Sequence, residues 1–260
     1  MDLAHGLSGL LVGMLVGMTG VGGGSLMAPI LILLLGVSPT TAVGTDLWFA
    51  AITKSVGGVV HHSLGEPDWQ VVRRLAYGSI PASIVTSLLL AQIDASQIKH
   101  GLIISSLGVL LLATAAATFG WGRVQALVLG MESAVVTTYR ARQPALTIAA
   151  GALLGVMVTL TSIGAGALGA VMLMALYPMR MTARRLVGTD IVHAVPLTMV
   201  AGVGHLFMGN VDFALLGSLL VGSIPGIVIG SLLATRLSAT ILRPVLAVVL
   251  AATGIKMIFS

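Results

Sequence analysis

The 260-residue sequence predicts an all-α integral membrane protein. It reads as two inverted-topology repeats with broken or re-entrant helices, making about 8–10 transmembrane segments of roughly 20 residues each. Three observations predict this. Hydrophobic residues make up 57% of the chain and charged residues 8%, with a mean hydropathy of +1.08, whereas a water-facing exterior carries about 25% charged residues. The apolar runs are too long for the alternating strands of a membrane barrel. One set of rare residues recurs at a fixed spacing in both halves. No length remains for a large soluble domain. The net charge of +5 reads as cytoplasmic loop charge rather than a nucleic-acid surface. The absence of cysteine removes disulfides, thiolate metal ligands and cysteine nucleophiles. Asp2 and His5 run straight into apolar sequence, so no removable signal is expected.

Apolar runs lie near 3–18, 25–36, 41–61, 71–91, 101–119, 124–137, 145–160, 167–177, 186–206, 213–234 and 239–258. Those at 25–36, 124–137 and 167–177 are short: eleven or twelve helical residues reach only about 17 Å, half of the hydrocarbon core. They are expected to dip into the membrane rather than cross it.

The repeat organises the rest. Thr19-Gly20-Val21-Gly22-Gly23-Gly24 pairs with Thr161-Ser162-Ile163-Gly164-Ala165-Gly166. Val43-Gly44-Thr45-Asp46 then pairs with Val187-Gly188-Thr189-Asp190. At the same offset of 144 residues, His61 meets His205, Gly65 meets Gly209, Asp68 meets Asp212, and Gly78-Ser79-Ile80-Pro81 meets Gly222-Ser223-Ile224-Pro225. Chance does not align Asp, His and Pro at one offset while the apolar filler drifts. The expected division is a first repeat at 1–119, a cytoplasmic linker with a short interfacial helix at 120–144, and a second repeat at 145–260. Each unit makes an odd number of crossings, so its copy must be inverted, and Lys and Arg bear on this because they concentrate on the cytoplasmic side. The loop at Ser38-Pro39-Thr40-Thr41 is uncharged where its counterpart carries Arg180, Arg184 and Arg185. The next loop reverses the bias, with Arg73 and Arg74 against Gly217 and Ser218. Arg123, Arg140 and Arg142 place the linker inside, and both termini then face outward.

Inverted repeats with broken helices are the architecture of secondary transporters, whose half-helix ends meet near the midplane. The breaks here are Gly20 to Gly24 and Ser162 to Gly166. Each short helix after a break begins with free N–H groups and the positive end of its dipole, an arrangement that suits an anion. Close packing of small residues is the structural alternative. The candidate anion-binding groups are the backbone at Gly22, Gly23, Gly24 and Ser25 and at Gly164, Ala165 and Gly166, with hydroxyls from Thr45 and Thr189. Lys54 adds one fixed positive charge that the second unit replaces with Thr198. Lys54 could instead snorkel to an interface.

Charges inside apolar spans are costly and usually functional. Asp46 and Asp190 are therefore candidates for proton coupling, or alternatively caps of a helix start. His193, one turn from Asp190, and His61 and His205 extend the candidate proton-coupling set. Six histidines without cysteine, without His-Glu-x-x-His and without clustered carboxylates make a poor metal site, and neither a metal nor a cofactor is expected. Pro81 and Pro225, with Ser79 and Ser223 just before them, read as helix kinks.

Gly20-Val21-Gly22-Gly23-Gly24, Val-Gly-Thr-Asp at 43–46 and 187–190, His193-Ala194-Val195-Pro196, Gly202-Val203-Gly204-His205 and Gly222-Ser223-Ile224-Pro225-Gly226 together resemble the sulfite exporter TauE/SafE family. The resemblance covers nearly the whole chain. It implies a multi-pass inner-membrane transporter, not an enzyme, that exports sulfite or small organosulfur anions such as sulfonates, driven by an ion gradient. A proton role for Asp46 and Asp190 comes from their place inside apolar spans, not from the resemblance. The expected partners are a small anionic substrate, the lipid bilayer and a coupling proton. The alternatives are a passive anion channel and, less favoured beside Lys54, a cation or metal carrier using His and Asp. An intramembrane hydrolase is disfavoured, since no Gly-x-Ser-Gly with a His partner appears and Ser25 has no evident base.

Overall fold

A computed structural model describes residues 3–19, 24–60, 67–93, 96–120, 122, 133–164, 166–177, 180–234 and 239–259. Among them are ten helices and no strand. They are α1 (Leu3–Thr19), α2 (Gly24–Leu33), α3 (Pro39–Val60), α4 (Trp69–Ala91), α5 (Ser96–Phe119), α6 (Ser133–Thr161), α7 (Ala167–Leu176), α8 (Ala183–Phe207), α9 (Phe213–Ala234) and α10 (Ala239–Ile258). Five segments are long and apolar enough to cross a membrane: Trp69–Ala91, Gly101–Phe119, Arg142–Thr161, Arg185–Phe207 and Phe213–Leu233. The short helices α2 and α7 have ten residues each, a reach of about 15 Å that stops halfway through the hydrocarbon core.

Local sequence sets several boundaries. Asp68 caps α4 by accepting from Val71 N at 3.3 Å, and its repeat counterpart Asp212 accepts from Leu215 N at 2.9 Å before α9. Thr182 caps α8 through Arg185 N at 3.3 Å. The first unit's break at residues 20–23 lies outside the described residues. The second is compact: Ser162 adopts φ 59° and Gly164 φ 122°, left-handed backbone that costs a non-glycine residue strain. Gly164 O then accepts from Gly166 N and Gly169 N, both at 2.9 Å, closing the turn into α7.

One boundary differs from expectation. Helix α6 begins at Ser133 and runs unbroken past Pro144, so the division expected at 144/145 falls inside a helix. The short interfacial helix expected at 124–137 lies largely outside the described residues, and its end belongs to α6.

Two of the long helices bury small polar side chains and expose apolar ones. On α4, Ser79 and Ser83 are buried while Ile84, Val85, Leu88 and Leu89 are exposed. On α9, Ser223 is buried while Val221, Val228, Ile229 and Leu232 are exposed. Water would reward the opposite distribution, and lipid rewards this one.

The two halves pack on each other reciprocally. Helix α1 lies along α9, and α6, its repeat counterpart, lies along α4. Both contacts are glycine seams. A Cβ added at Gly9, Gly13 or Gly17 would meet the backbone oxygens of Leu219, Ser223 and Ile227 at 2.1–2.4 Å, and one added at Gly151 or Gly155 would meet those of Leu75 and Ser79 at 2.2–2.3 Å. Between lipid-embedded helices, such close backbone approach replaces the missing hydrophobic drive with van der Waals contact. Helix α3 packs against its own counterpart α8, and α5 against α10. Chain directions oppose in both pairs. Trp48 lies against Gly202 and Lys54 against Asp190 in the first, and Gly108 against Ile258 and Leu112 against Gly254 in the second.

Candidate substrate and coupling site

The α3–α8 crossing gathers most of the charged groups that the sequence places inside spans. Asp46 and Asp190 each lie well inside their helices, which removes the alternative that they cap their own helix starts. Asp46 is fully buried. Its carboxyl lies near the Ser162 hydroxyl and the Ala28 N–H, with neither contact at full hydrogen-bonding geometry. It thus connects α2 of the first unit with the break between α6 and α7 of the second. Asp190 lies against the first turn of α7, where a Cβ added at Gly169 would sit 2.8 Å from Asp190 Oδ1. Each carboxylate therefore faces the N-terminal part of a short helix, where the positive dipole end favours negative charge.

Lys54 reaches across the crossing to Asp190, with Nζ 3.5 Å from Oδ2 and both side chains at most 4% exposed. Snorkelling to an interface is thereby ruled out. The fixed positive charge expected of Lys54 is also offset, because the second unit supplies its counter-ion. Removing both charges from water costs several kcal/mol per ion, which their attraction and hydrogen bonding must repay.

Thr45 and Thr189 act differently from expectation. Thr189 Oγ1 donates to Arg185 O at 2.7 Å and accepts from Asp68 N at 2.9 Å, so its donor is already engaged. Thr45 Oγ1 accepts from Asp212 N at 3.1 Å. The two contacts are repeat counterparts: each threonine holds the N–H of the other unit's aspartate and clamps the end of one half to a helix of the other. Both are structural straps.

His193 is buried beside Asp190's helical face, with Nε2 2.9 Å from Ser79 Oγ. His205 is buried at the far end of α8, with Nε2 2.9 Å from Thr159 O. Gly164 and Gly166 form the described break; Gly22, Gly23, Ala165 and His61 lie outside the described residues, and Gly24 and Ser25 open α2. Arg180 donates from Nη2 to Asp68 Oδ1 at 2.8 Å, and Arg185 Nε lies 3.8 Å from Asp68 Oδ2. These arginines close a half-exposed cluster over the start of α4, and Arg74 bonds Tyr177 Oη at 3.1 Å nearby.

Sequence reasoning missed the Lys54–Asp190 pair, and it missed Ser83, which meets Thr159 Oγ1 at 2.8 Å. The four-residue spacing of Ser79, Ser83 and Ser87 in an apolar span was the available signal. A groove of about 650 Å³ between α1, α2 and α10 is lined by Leu11, Met14, Leu26, Ile30 and Val249, with Thr253 and Lys256 as its polar groups. Its wall suits an acyl chain rather than an oxyanion. Among the described residues, no three His, Asp or Glu side chains are placed to hold a metal ion.

Lipid-facing apolar helices, two half-length helices and a buried charge pair at the crossing of two long ones define a multi-pass membrane protein of the transporter type. The sulfite exporter TauE/SafE family model matches residues 6–257, so the chain belongs to that family. It is 39% identical over 210 residues to the "Probable membrane transporter protein YjnA" of Bacillus subtilis strain 168, covering 80% of this chain and 81% of that protein. A "Probable membrane transporter protein" of Haemophilus influenzae is 34% identical over 95 residues, covering 34% of this chain and 36% of its own length. The chain matches no solved structure.

Proposed function

We infer that the protein is a secondary transporter that exports sulfite or small sulfonates across the inner membrane, binding them between the two short helices and Lys54. The observation that carries this reading is the buried Lys54–Asp190 pair at the α3–α8 crossing, against the first turn of α7. A membrane protein retains such a costly pair where its charges are used. An anion can take Lys54 only when Asp190 gives it up, and Asp190 gives it up most cheaply by accepting a proton. Anion binding and protonation are then coupled by one lysine. Asp46, buried without an ion pair, is the second candidate proton carrier.

Opposed chain directions in the α3–α8 and α5–α10 pairs, the reciprocal threonine straps and the reversed loop charges support an inverted repeat. In that arrangement alternating access follows by rocking one unit on the other.

Thermal unfolding of the purified protein with sulfite, sulfate, thiosulfate and isethionate tests the substrate class, because a ligand that binds the folded state raises the transition temperature. The reading expects stabilisation by sulfite or isethionate that Lys54→Met abolishes. Equal stabilisation of both proteins, or of neither, contradicts it. Stabilisation by divalent cations instead would favour a cation carrier built on Asp46.

A further inference from the structure

We propose that a one-sided seam of hydroxyl and imidazole groups between α4, α6 and α8 is the proton route to Asp190, running from the Thr159–Ser83 hydroxyl pair through Ser79 to His193. This rests on the transport reading above and adds the path by which its proton arrives.

The seam runs along one interface with a single gap between Ser79 and Ser83. His193 Nε2 lies 2.9 Å from Ser79 Oγ, Ser83 Oγ lies 2.8 Å from Thr159 Oγ1, and His205 Nε2 lies 2.9 Å from Thr159 O. Ser79, Ser83 and Ser87 follow one another along α4 in steps of about 6 Å, a gap that one bridging water spans. Ser87 Oγ is buried beside Gly204 with no hydrogen-bond partner among the described residues. At the other end, His193 stands one helical turn from Asp190 on the same face.

Repeat symmetry supplies the contrast. At the equivalent α9–α1–α3 interface, His193 is replaced by Phe49, Ser83 by Ile227 and Thr159 by Gly17. Ser223, the partner of Ser79, is left with a buried hydroxyl that bonds nothing. Ser231, the partner of Ser87, bonds its own helix at Val228 O instead. Packing alone is satisfied by the apolar version, so the polar version at the interface that carries Asp190 calls for another reason.

The surroundings suit a transfer route. Facing Asp190 and His193 are Lys54 from α3, Ser79 from α4 and Gly169 from α7. Further charged groups on the packed elements are Asp46 on α3 and, near the starts of α4 and α8, Asp68 with Arg180 and Arg185. A neutral imidazole accepts a proton at one ring nitrogen and releases one from the other. His193 thus passes a proton to Asp190 as Lys54 turns to the anion, and recovers it when the anion leaves.

The test uses proteoliposomes of the full chain with radiolabelled isethionate and an internal pH dye, and copies the apolar half into the polar one. Ser83→Ile should keep isethionate counterflow within about twofold of the parent and lower isethionate-driven proton flux at least tenfold, with Ser83→Thr restoring it, whereas His193→Phe, which removes the donor beside Asp190, should lower both. Proton flux within twofold of the parent in Ser83→Ile overturns the relay. So does parallel loss of counterflow and proton flux in Ser83→Ile. A parent protein without isethionate counterflow overturns the transport reading, and the relay with it.

Discussion

Replacing Lys54 with Met leaves Asp190 as a lone charge in a site that excludes water. At 3.5 Å the pair's attraction is about 5 kcal/mol for an effective dielectric of 20, and removing one partner of a buried pair typically costs about 3–5 kcal/mol. The orphaned carboxyl escapes by taking a proton. From an ordinary carboxylate value near 3.9, neutralisation costs about 4 kcal/mol at pH 7 and about 1.5 kcal/mol at pH 5. The sign follows from this: the loss is largest at neutral pH and shrinks as pH falls. Lys54→Met with Asp190→Leu should recover most of the stability, since an apolar pair of similar volume replaces a buried ion pair at little net cost. The assay is equilibrium unfolding in mixed micelles of the parent, the two single variants and the double variant, at pH 5 and pH 7. Additive single effects, or a Lys54→Met loss that grows at pH 5, would refute the pairing.

Other outcomes follow from the same geometry. Thr189→Val strips the buried N–H of Asp68 of its acceptor and should lower unfolding stability by about 1–3 kcal/mol. Thr45→Val frees the N–H of the exposed Asp212 and should cost less; a loss at Thr45 larger than at Thr189 would contradict this. Gly155→Val drives a side chain into Ser79 O, where even a Cβ would sit at 2.3 Å, and should lower the melting temperature markedly. Gly217→Ala has nothing within 4 Å and should gain up to about 1 kcal/mol from helix propensity. Asp46→Asn replaces a buried carboxyl that no ion pair among the described residues holds; it should leave stability unchanged or raised, while proton-driven accumulation of isethionate falls at least tenfold.

Much of the fold is legible in the sequence, because lipid imposes one rule on every span. The apolar runs at 71–91, 186–206 and 213–234 match α4, α8 and α9 closely, and the ten-residue lengths of α2 and α7 follow from the glycine clusters before them. Pro144 misleads: it sits at the polar-to-apolar transition where the run at 145–160 begins, yet α6 carries through it from Ser133. The site is harder. Lys54 and Asp190 are 136 residues apart and belong to different repeats, so only the crossing of α3 on α8 makes them partners. The repeat compares each residue with its copy, which highlights Lys54 against Thr198 but says nothing of contacts between units. Thr45 and Thr189 sit beside the right aspartates, yet their hydroxyls point at backbone N–H groups of the opposite half.

Isethionate counterflow into proteoliposomes of the parent protein and Lys54→Met, with pH clamped equal on both sides, tests the central claim most directly. The account predicts saturable exchange by the parent, competed by sulfite, and at least a tenfold loss in Lys54→Met with the variant still folded. Exchange by Lys54→Met equal to the parent's, or flux that rises linearly with isethionate and never saturates, would contradict it.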